Sequence, residues 1–248
     1  TRPEHQAESM TVRLRSLGAN VLHQPAIEIG EPADWAPVDA AIARLAEFDW
    51  LVFSSRNGVE YFLNRLIAVG LDLRALGGRR LAAIGPATVG ALAEYHLTAD
   101  ICPNTYRAEA LAEALAEALA PHARGRNFFL ARASRGREVL AELLAAAGGN
   151  VTQAVVYESR DVVEPDTDVL AVLMAGHVDW TTVTSSAIAR SLVRMFGDAL
   201  RHTKLVAISP LTAAELTELG HPPAVVAADY TGEGIAAAIL ASRDSWAK

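Results

Sequence analysis

The chain writes one stretch twice. Leu81–Leu92 (LAAIGPATVGAL) returns as Leu205–Leu216 (LVAISPLTAAEL), with Ile84 and Ile208 standing 124 positions apart. Each copy opens on a short apolar run that reads as a buried strand, Leu81–Ile84 and Leu205–Ile208. Each then breaks at Gly85-Pro86 or Ser209-Pro210 and turns helical, because Gly or Ser suits the cap and Pro the first helical position. Thr88 and Thr212 fall in the first turn, where free backbone N–H groups and the positive end of the helix dipole favour an anion or a carbonyl oxygen. The same offset joins Tyr106 to Tyr230 and Glu109 to Glu233. Upstream the offset is 130, joining Asp49-Trp50 to Asp179-Trp180, Ser55 to Ser185, Gly18 to Gly148 and Glu28 to Glu158. One deletion of six residues (130 − 124) accounts for the change. A register held this long predicts a tandem duplication of one α/β unit.

Composition is compatible with two buried cores: 248 residues, 51% of them hydrophobic. The net charge of −7 argues against nucleic acid as a partner. Lys204 and Lys248 are the only lysines, so nearly all positive charge is arginine. That suits bidentate carboxylate recognition, and it equally suits a GC-rich genome. The lone Cys102 stands in an apolar run and reads as a core residue. With no signal peptide and no long apolar span, the expectation is a cytoplasmic protein without membrane contact. Thr1-Arg2-Pro3 aligns with Ala131-Arg132-Ala133, which follows the strand Asn127–Leu130, so the first repeat is expected to want a strand upstream of Thr1.

Along the chain, a helix is predicted from about Glu4 to Leu17, then a strand over Asn20–Leu22 and extended chain over Ala26–Ile29. Further strands are predicted at Trp50–Phe53, Leu81–Ile84, Asp100–Cys102 and Asn127–Leu130, with helices near 38–46, 58–69, 87–95 and 108–119. The second half repeats this with strands Asn150–Tyr157, Trp180–Val183, Leu205–Ile208 and Ala224–Ala227. Alternation at this spacing implies parallel sheets covered by helices, and ligands bind such sheets beyond the carboxyl ends of the strands. The residues there are Ser54, Ser55, Arg56 and Asn57, then Gly85–Thr88 and Asn104–Arg107. In the second half they are Thr184, Ser185 and Ser186, then Ser209–Thr212 and Asp229–Gly232.

No phosphate loop, dinucleotide fingerprint, HExxH or CxxC is present, and the seven histidines lack metal-ligand spacing. What remains is hydroxyls, helix-start amides and a few arginines, equipment for holding carboxylates and carbonyls. Each hydroxyl also has a plain structural reading: Ser54/Ser55, Ser185/Ser186, Thr88 and Thr212 suit helix caps, and capping does not exclude a ligand. Tyr157 on the residues alone is equally an interface ring or a catalyst. A non-catalytic two-lobed binding protein or sensor for small anionic ligands fits this physics as well as an enzyme does.

The runs DWLVFSSRNGVEYF, AIGPATVGAL with PNTYRAEALAEAL, and NFFLARASRGREVLAELLAAAGGNVTQAVVYES resemble the uroporphyrinogen-III synthase family. So do VTSSAIARSL, AISPLTAAELTELG and ADYTGEGIAAAIL, and the resemblance covers essentially the whole chain. Ser209 departs from the glycine usual in the family. The resemblance implies two flavodoxin-like lobes joined by a two-stranded hinge, with residues 1–30 plus 162–248 in one lobe and 36–155 in the other. Hinge segments would be 26–35 and 155–161, with a cleft between the lobes. It implies cyclisation of the linear tetrapyrrole hydroxymethylbilane with inversion of ring D and loss of water, without cofactor or metal, by a monomer. An upstream fusion to a tetrapyrrole methyltransferase is the family's precedent for the absent first strand. Carried over, Ser54, Ser55, Arg56, Asn57, Thr88, Thr184, Ser185, Ser186 and Thr212 would hold the substrate, and Tyr157 would donate a hydrogen bond to the departing hydroxyl.

Overall fold

The computed structural model describes residues 1–103, 111–135 and 139–244. In chain order the elements begin with α1 (Glu4–Ser16), β1 (Ile27–Gly30), α2 (Ala36–Ala43), β2 (Trp50–Phe53) and α3 (Arg56–Ala68). Next come β3 (Arg80–Ala83), α4 (Pro86–Glu94), α5 (Leu111–Leu119), β4 (Asn127–Ala133), α6 (Val139–Ala146) and β5 (Asn150–Asp161). The remainder is α7 (Thr167–Met174), β6 (Trp180–Val183), α8 (Ser186–Phe196), β7 (Lys204–Ala207), α9 (Pro210–Glu218), β8 (Val225–Val226) and α10 (Gly232–Asp244). Two compact units result: Thr1–Ile29 with Arg160–Lys248, and Gly30–Ser159. The chain passes between them inside β1 and inside β5.

The second unit, Gly30–Ser159, is built on β5, β4, β2 and β3, the last four strands of a sheet of order β1-β5-β4-β2-β3. β3, β2, β4 and β5 run parallel, with Leu51 beside both Leu81 and Phe129. Every residue of β2 is buried, which is why its sequence WLVF is a continuous apolar run instead of an alternation: helices cover both faces of a parallel sheet. On one face Phe62 of α3 packs edge-on against Phe53 and tilted against Phe129, with centroids 5.8 and 5.2 Å away. On the other, Leu115 and Leu119 of α5 and Leu144 of α6 pack on Trp50, Val52 and Phe128. Burying each such side chain stabilises the unit by about 1.5–3 kcal/mol.

The first unit carries a three-stranded parallel sheet of order β6-β7-β8. Ile188, Leu192 and Phe196 of α8 pack with Val183, Leu205 and Leu216 on one face, while Met10 of α1 and Ile235 of α10 meet Val206 on the other. Thr1 bonds at once to the Thr182 carbonyl through its hydroxyl and to the Ala26 N–H through its carbonyl. That is the counterpart of Ala131 of β4, which lies between Phe53 and Ala154. Gly18 and Gly148 close α1 and α6 with φ of 85° and 88°, the left-handed turn that glycine adopts freely.

Three expected strands are corrected. Asn20–Leu22 forms no strand. Its counterpart Asn150–Thr152 is a strand because β4 lies alongside, and among the described residues no strand pairs with Asn20–Leu22. Asp100–Cys102 shrinks to a single bridge between Ile101 and Ala82. There the Asp100 carboxylate accepts the Leu81 N–H at 2.7 Å, so a side chain takes over a ladder bond. Ala224–Ala227 shortens to Val225–Val226.

Candidate functional site

Where β2 ends, the chain turns through Ser54 into α3, with Ser55 in extended conformation (φ −165°, ψ 159°) at the cap. Its Oγ accepts the Gly58 N–H at 2.9 Å, answering one of the orphan amides of the first turn. That bond uses a lone pair and leaves the hydroxyl proton free. Gly58 must be small: a Cβ there would stand 3.2 Å from Ser55 Oγ and 3.3 Å from the Ala131 carbonyl.

Tyr157 on β5 is brought to the same corner, because β5 lies on β4 with Tyr157 beside Ala133. It is only 7% exposed, and its phenol hydrogen-bonds with Ser55 and Asn57. Burial pushes the phenol up from its ordinary pKa, and the two bonds pull against that rise. Tyr61, one turn beyond Asn57 on α3, lays its ring against that of Tyr157 at 5.8 Å and fixes its plane. Tyr61 and Gly58 are not among the residues expected to line the site. The i, i+4 spacing of Asn57 and Tyr61, which puts both on one face of α3, was the available signal.

Arg56 is occupied elsewhere. Its guanidinium meets Glu60 at 2.6 Å and Glu94 at 2.7 and 2.9 Å, and the Glu94 bond chiefly raises its pKa. Ser54 is exposed. At the neighbouring corner Gly85 caps α4 without a side chain, and Thr88 is buried, 2% exposed, with its N–H on the Gly85 carbonyl at 3.0 Å. Among the described residues the Thr88 hydroxyl has no hydrogen-bond partner. Asn104–Arg107, including Tyr106, lie outside the described residues.

In the first unit Ser185 caps α8 with nearly the same backbone (φ −168°, ψ 162°), its Oγ accepting the Ile188 N–H at 3.2 Å. Thr184 beside it is half-buried, and the Ser186 Oγ is buried without a partner. Ser209 caps α9: its Oγ accepts the Thr212 N–H at 3.3 Å and lies 3.2 Å from the Thr212 hydroxyl. Tyr230 is 46% exposed. The unit-two corner therefore offers a buried phenol hydrogen-bonded with Ser55 and Asn57, and both units offer hydroxyls at helix starts. Cys102 is no rival nucleophile, since burial pushes its thiol up. Among the described residues no three His, Cys, Asp or Glu side chains converge as a metal site would require, and no helix is long and apolar enough to cross a membrane.

A family model described as uroporphyrinogen-III synthase HemD matches residues 8–237. The uroporphyrinogen-III synthase of Synechococcus elongatus is 31% identical, over all of this chain and 94% of its own length. That of Chlorobaculum parvum is 28% identical, over 96% of each. Among solved structures, a mutant uroporphyrinogen III synthase from Thermus thermophilus superposes with a TM-score of 0.64 at 20% identity, covering 97% of this chain and 96% of that one. The uroporphyrinogen-III synthetase of Helicobacter pylori gives 0.63 at 19%, covering 88% and 91%. The likeness to these two structures is one of fold.

Proposed function

The chain belongs to the uroporphyrinogen-III synthase family, and from that premise we propose that it cyclises hydroxymethylbilane to uroporphyrinogen III, inverting ring D and releasing water, as a hydro-lyase. The reaction is redox-neutral, and the substrate carries its own electrophile. Nitrogen of the activated pyrrole pushes out the hydroxyl and leaves an azafulvene. Ring D must then attack through its substituted carbon, before the simpler closure occurs, giving a spiro intermediate; the older bond from that carbon to the ring C methylene breaks, and the methylene re-bonds at the unsubstituted carbon of ring D. Holding one conformer against another is orientation more than acid–base power.

The observation that carries the reading is the Tyr157 phenol: buried, and hydrogen-bonded with Ser55 and Asn57. We assign it as the donor to the departing hydroxyl. The phenol proton leaves with that hydroxyl as water, and the carbon that finally closes the macrocycle gives up its own proton in balance. Ser55 and Asn57 support the oxygen while it carries charge. Substrate carboxylates fall to helix-start amides and hydroxyls: Asn57 and Thr88 in one unit, Thr184, Ser185, Ser186 and Thr212 in the other. Each such contact at a helix start contributes about 0.3–1 kcal/mol, so several are needed. Arg56 is left out of this set, since Glu60 and Glu94 already neutralise it.

The test is hydroxymethylbilane consumption by purified protein with both product isomers resolved. Conversion mainly to the inverted isomer is expected. No consumption, or release of the uninverted ring alone, overturns the reading.

A further inference from the structure

At the opposite, amino end of the second unit's sheet lies a cavity of about 480 Å³ that the cyclisation chemistry does not use. Its walls include Asp49, Trp50, Arg80, His122, Arg124 and Arg126. Trp50 and Arg80 are the first residues of β2 and β3 and lie side by side in register. His122 ends the short 3-10 turn Ala120–His122 that precedes β4, and its ring lies 5.8 Å from that of Trp50.

The charges here do not cancel. Asp49 is already satisfied, by Arg126 Nη1 at 2.8 Å and by the Asn127 N–H at 2.8 Å. Arg80 and Arg124 have no carboxylate partner among the described residues. Arg80 lies over the Trp50 ring, 5.5 Å from its centroid, which holds its plane while leaving the fork of donors unspent. Two unanswered guanidiniums on one cavity are conspicuous in a chain of net charge −7. In the first unit Lys204 lies over Trp180 at the same 5.5 Å, a point charge where Arg80 offers a planar fork.

The volume falls in the range of small-molecule sites, about 300–1,000 Å³. We propose that this cavity binds a small ligand bearing two or more negative charges on phosphate or carboxylate groups, gripped by Arg80 and Arg124 as bidentate donors. The site is independent of the Tyr157 corner, since β2 separates the two ends.

Calorimetric titration of the full chain with inorganic pyrophosphate and, separately, with citrate at low ionic strength tests it. Saturable one-to-one binding of either is expected: pyrophosphate alone marks a phosphate site, citrate alone a carboxylate site. The double change Arg80→Ala with Arg124→Ala should weaken binding at least about tenfold, as expected for loss of charge-assisted bonds, and leave cyclisation of hydroxymethylbilane unchanged. If the double variant fails to fold, Arg124→Ala alone carries the test, because that side chain is exposed and unpaired. It should weaken binding several-fold. Absence of saturable binding of both probes, or full affinity in the variants, overturns the proposal.

Discussion

The two units hold the same corner in two chemical states. Ser55 and Ser185 share cap geometry to within a few degrees, and each accepts an N–H three residues on. Around them the matched positions diverge: Asn57 against Ala187, Tyr61 against Ser191, Tyr157 against Ile27. The Tyr61 counterpart is turned to structural use, Ser191 donating to Asp161 at 2.6 Å beside the Arg194 ion pair. The second corner diverges as well. Gly85 leaves the Thr88 hydroxyl open, whereas Ser209 engages both the N–H and the hydroxyl of Thr212. Duplication has kept what the backbone demands, a hydrogen-bonded turn from strand to helix, and released the side chains that the turn does not need.

The largest expected effect breaks the asymmetry at its centre. Tyr157→Phe should slow single turnover on the order of 10²-fold, at the low end of general-acid effects because pyrrole nitrogen already expels the leaving group. Affinity should change little, and the inverted isomer should still dominate. An unchanged rate would reduce the phenol to packing and make the two corners equivalent.

Ser55→Ala and Ser185→Ala form a matched pair. Each removes a cap and should lower unfolding free energy by about 1 kcal/mol. Of the two, Ser55→Ala alone should lower kcat, by about tenfold, because Ser55 and not Ser185 supports Tyr157. Equal kcat losses in the two variants would remove the distinction.

Exchanging the other corner is gentler. Gly85→Ser should spend the first-turn amide of α4 on a cap and raise KM several-fold, while Ser209→Gly should free Thr212, destabilise by a few tenths of a kcal/mol and lower KM about twofold. Steady-state kinetics with thermal unfolding reads both.

The smallest effect is on pH. Burial holds the Tyr157 phenol above its ordinary value of about 10. Below about pH 10 the group is protonated in folded and unfolded chains alike, and its contribution to stability is fully present. As pH rises further the unfolded chain ionises first, and that contribution is lost through the folded pKa. The alkaline limb of the rate should therefore lie above pH ~10, and Ser55→Ala, which removes a bond favouring the ionised form, should move it upward. A limb below the ordinary tyrosine value would contradict the burial of this group.

Much of the frame was legible in residue order. The strand–break–helix pattern at Leu81–Leu92 and Leu205–Leu216 places β3, α4, β7 and α9, because continuous apolar runs mark strands buried on both faces and Pro after a cap marks a helix start. Asn20–Leu22 departs from the expected strand because a strand exists only where a neighbour supplies its ladder bonds, and apolar pattern says nothing of neighbours. Arg56 meets Glu94, 38 residues away on α4, a partner that residue order does not show.

By itself the sequence determined the repeat, the alternation of strands and helices, the parallel sheets, and the serines that cap α3 and α8. These are local or periodic properties, set by propensity, capping and the pattern of burial within a few residues. Tertiary structure decided which side chains meet. It brought Tyr157 to Ser55, Asn57 and Tyr61 across about a hundred residues of chain, closed Arg56 off, and gathered Arg80 and Arg124 on one cavity. The register of β5 on β4 and the close approach of Gly58 to Ala131 set those meetings, and neither register nor approach is written in any single stretch.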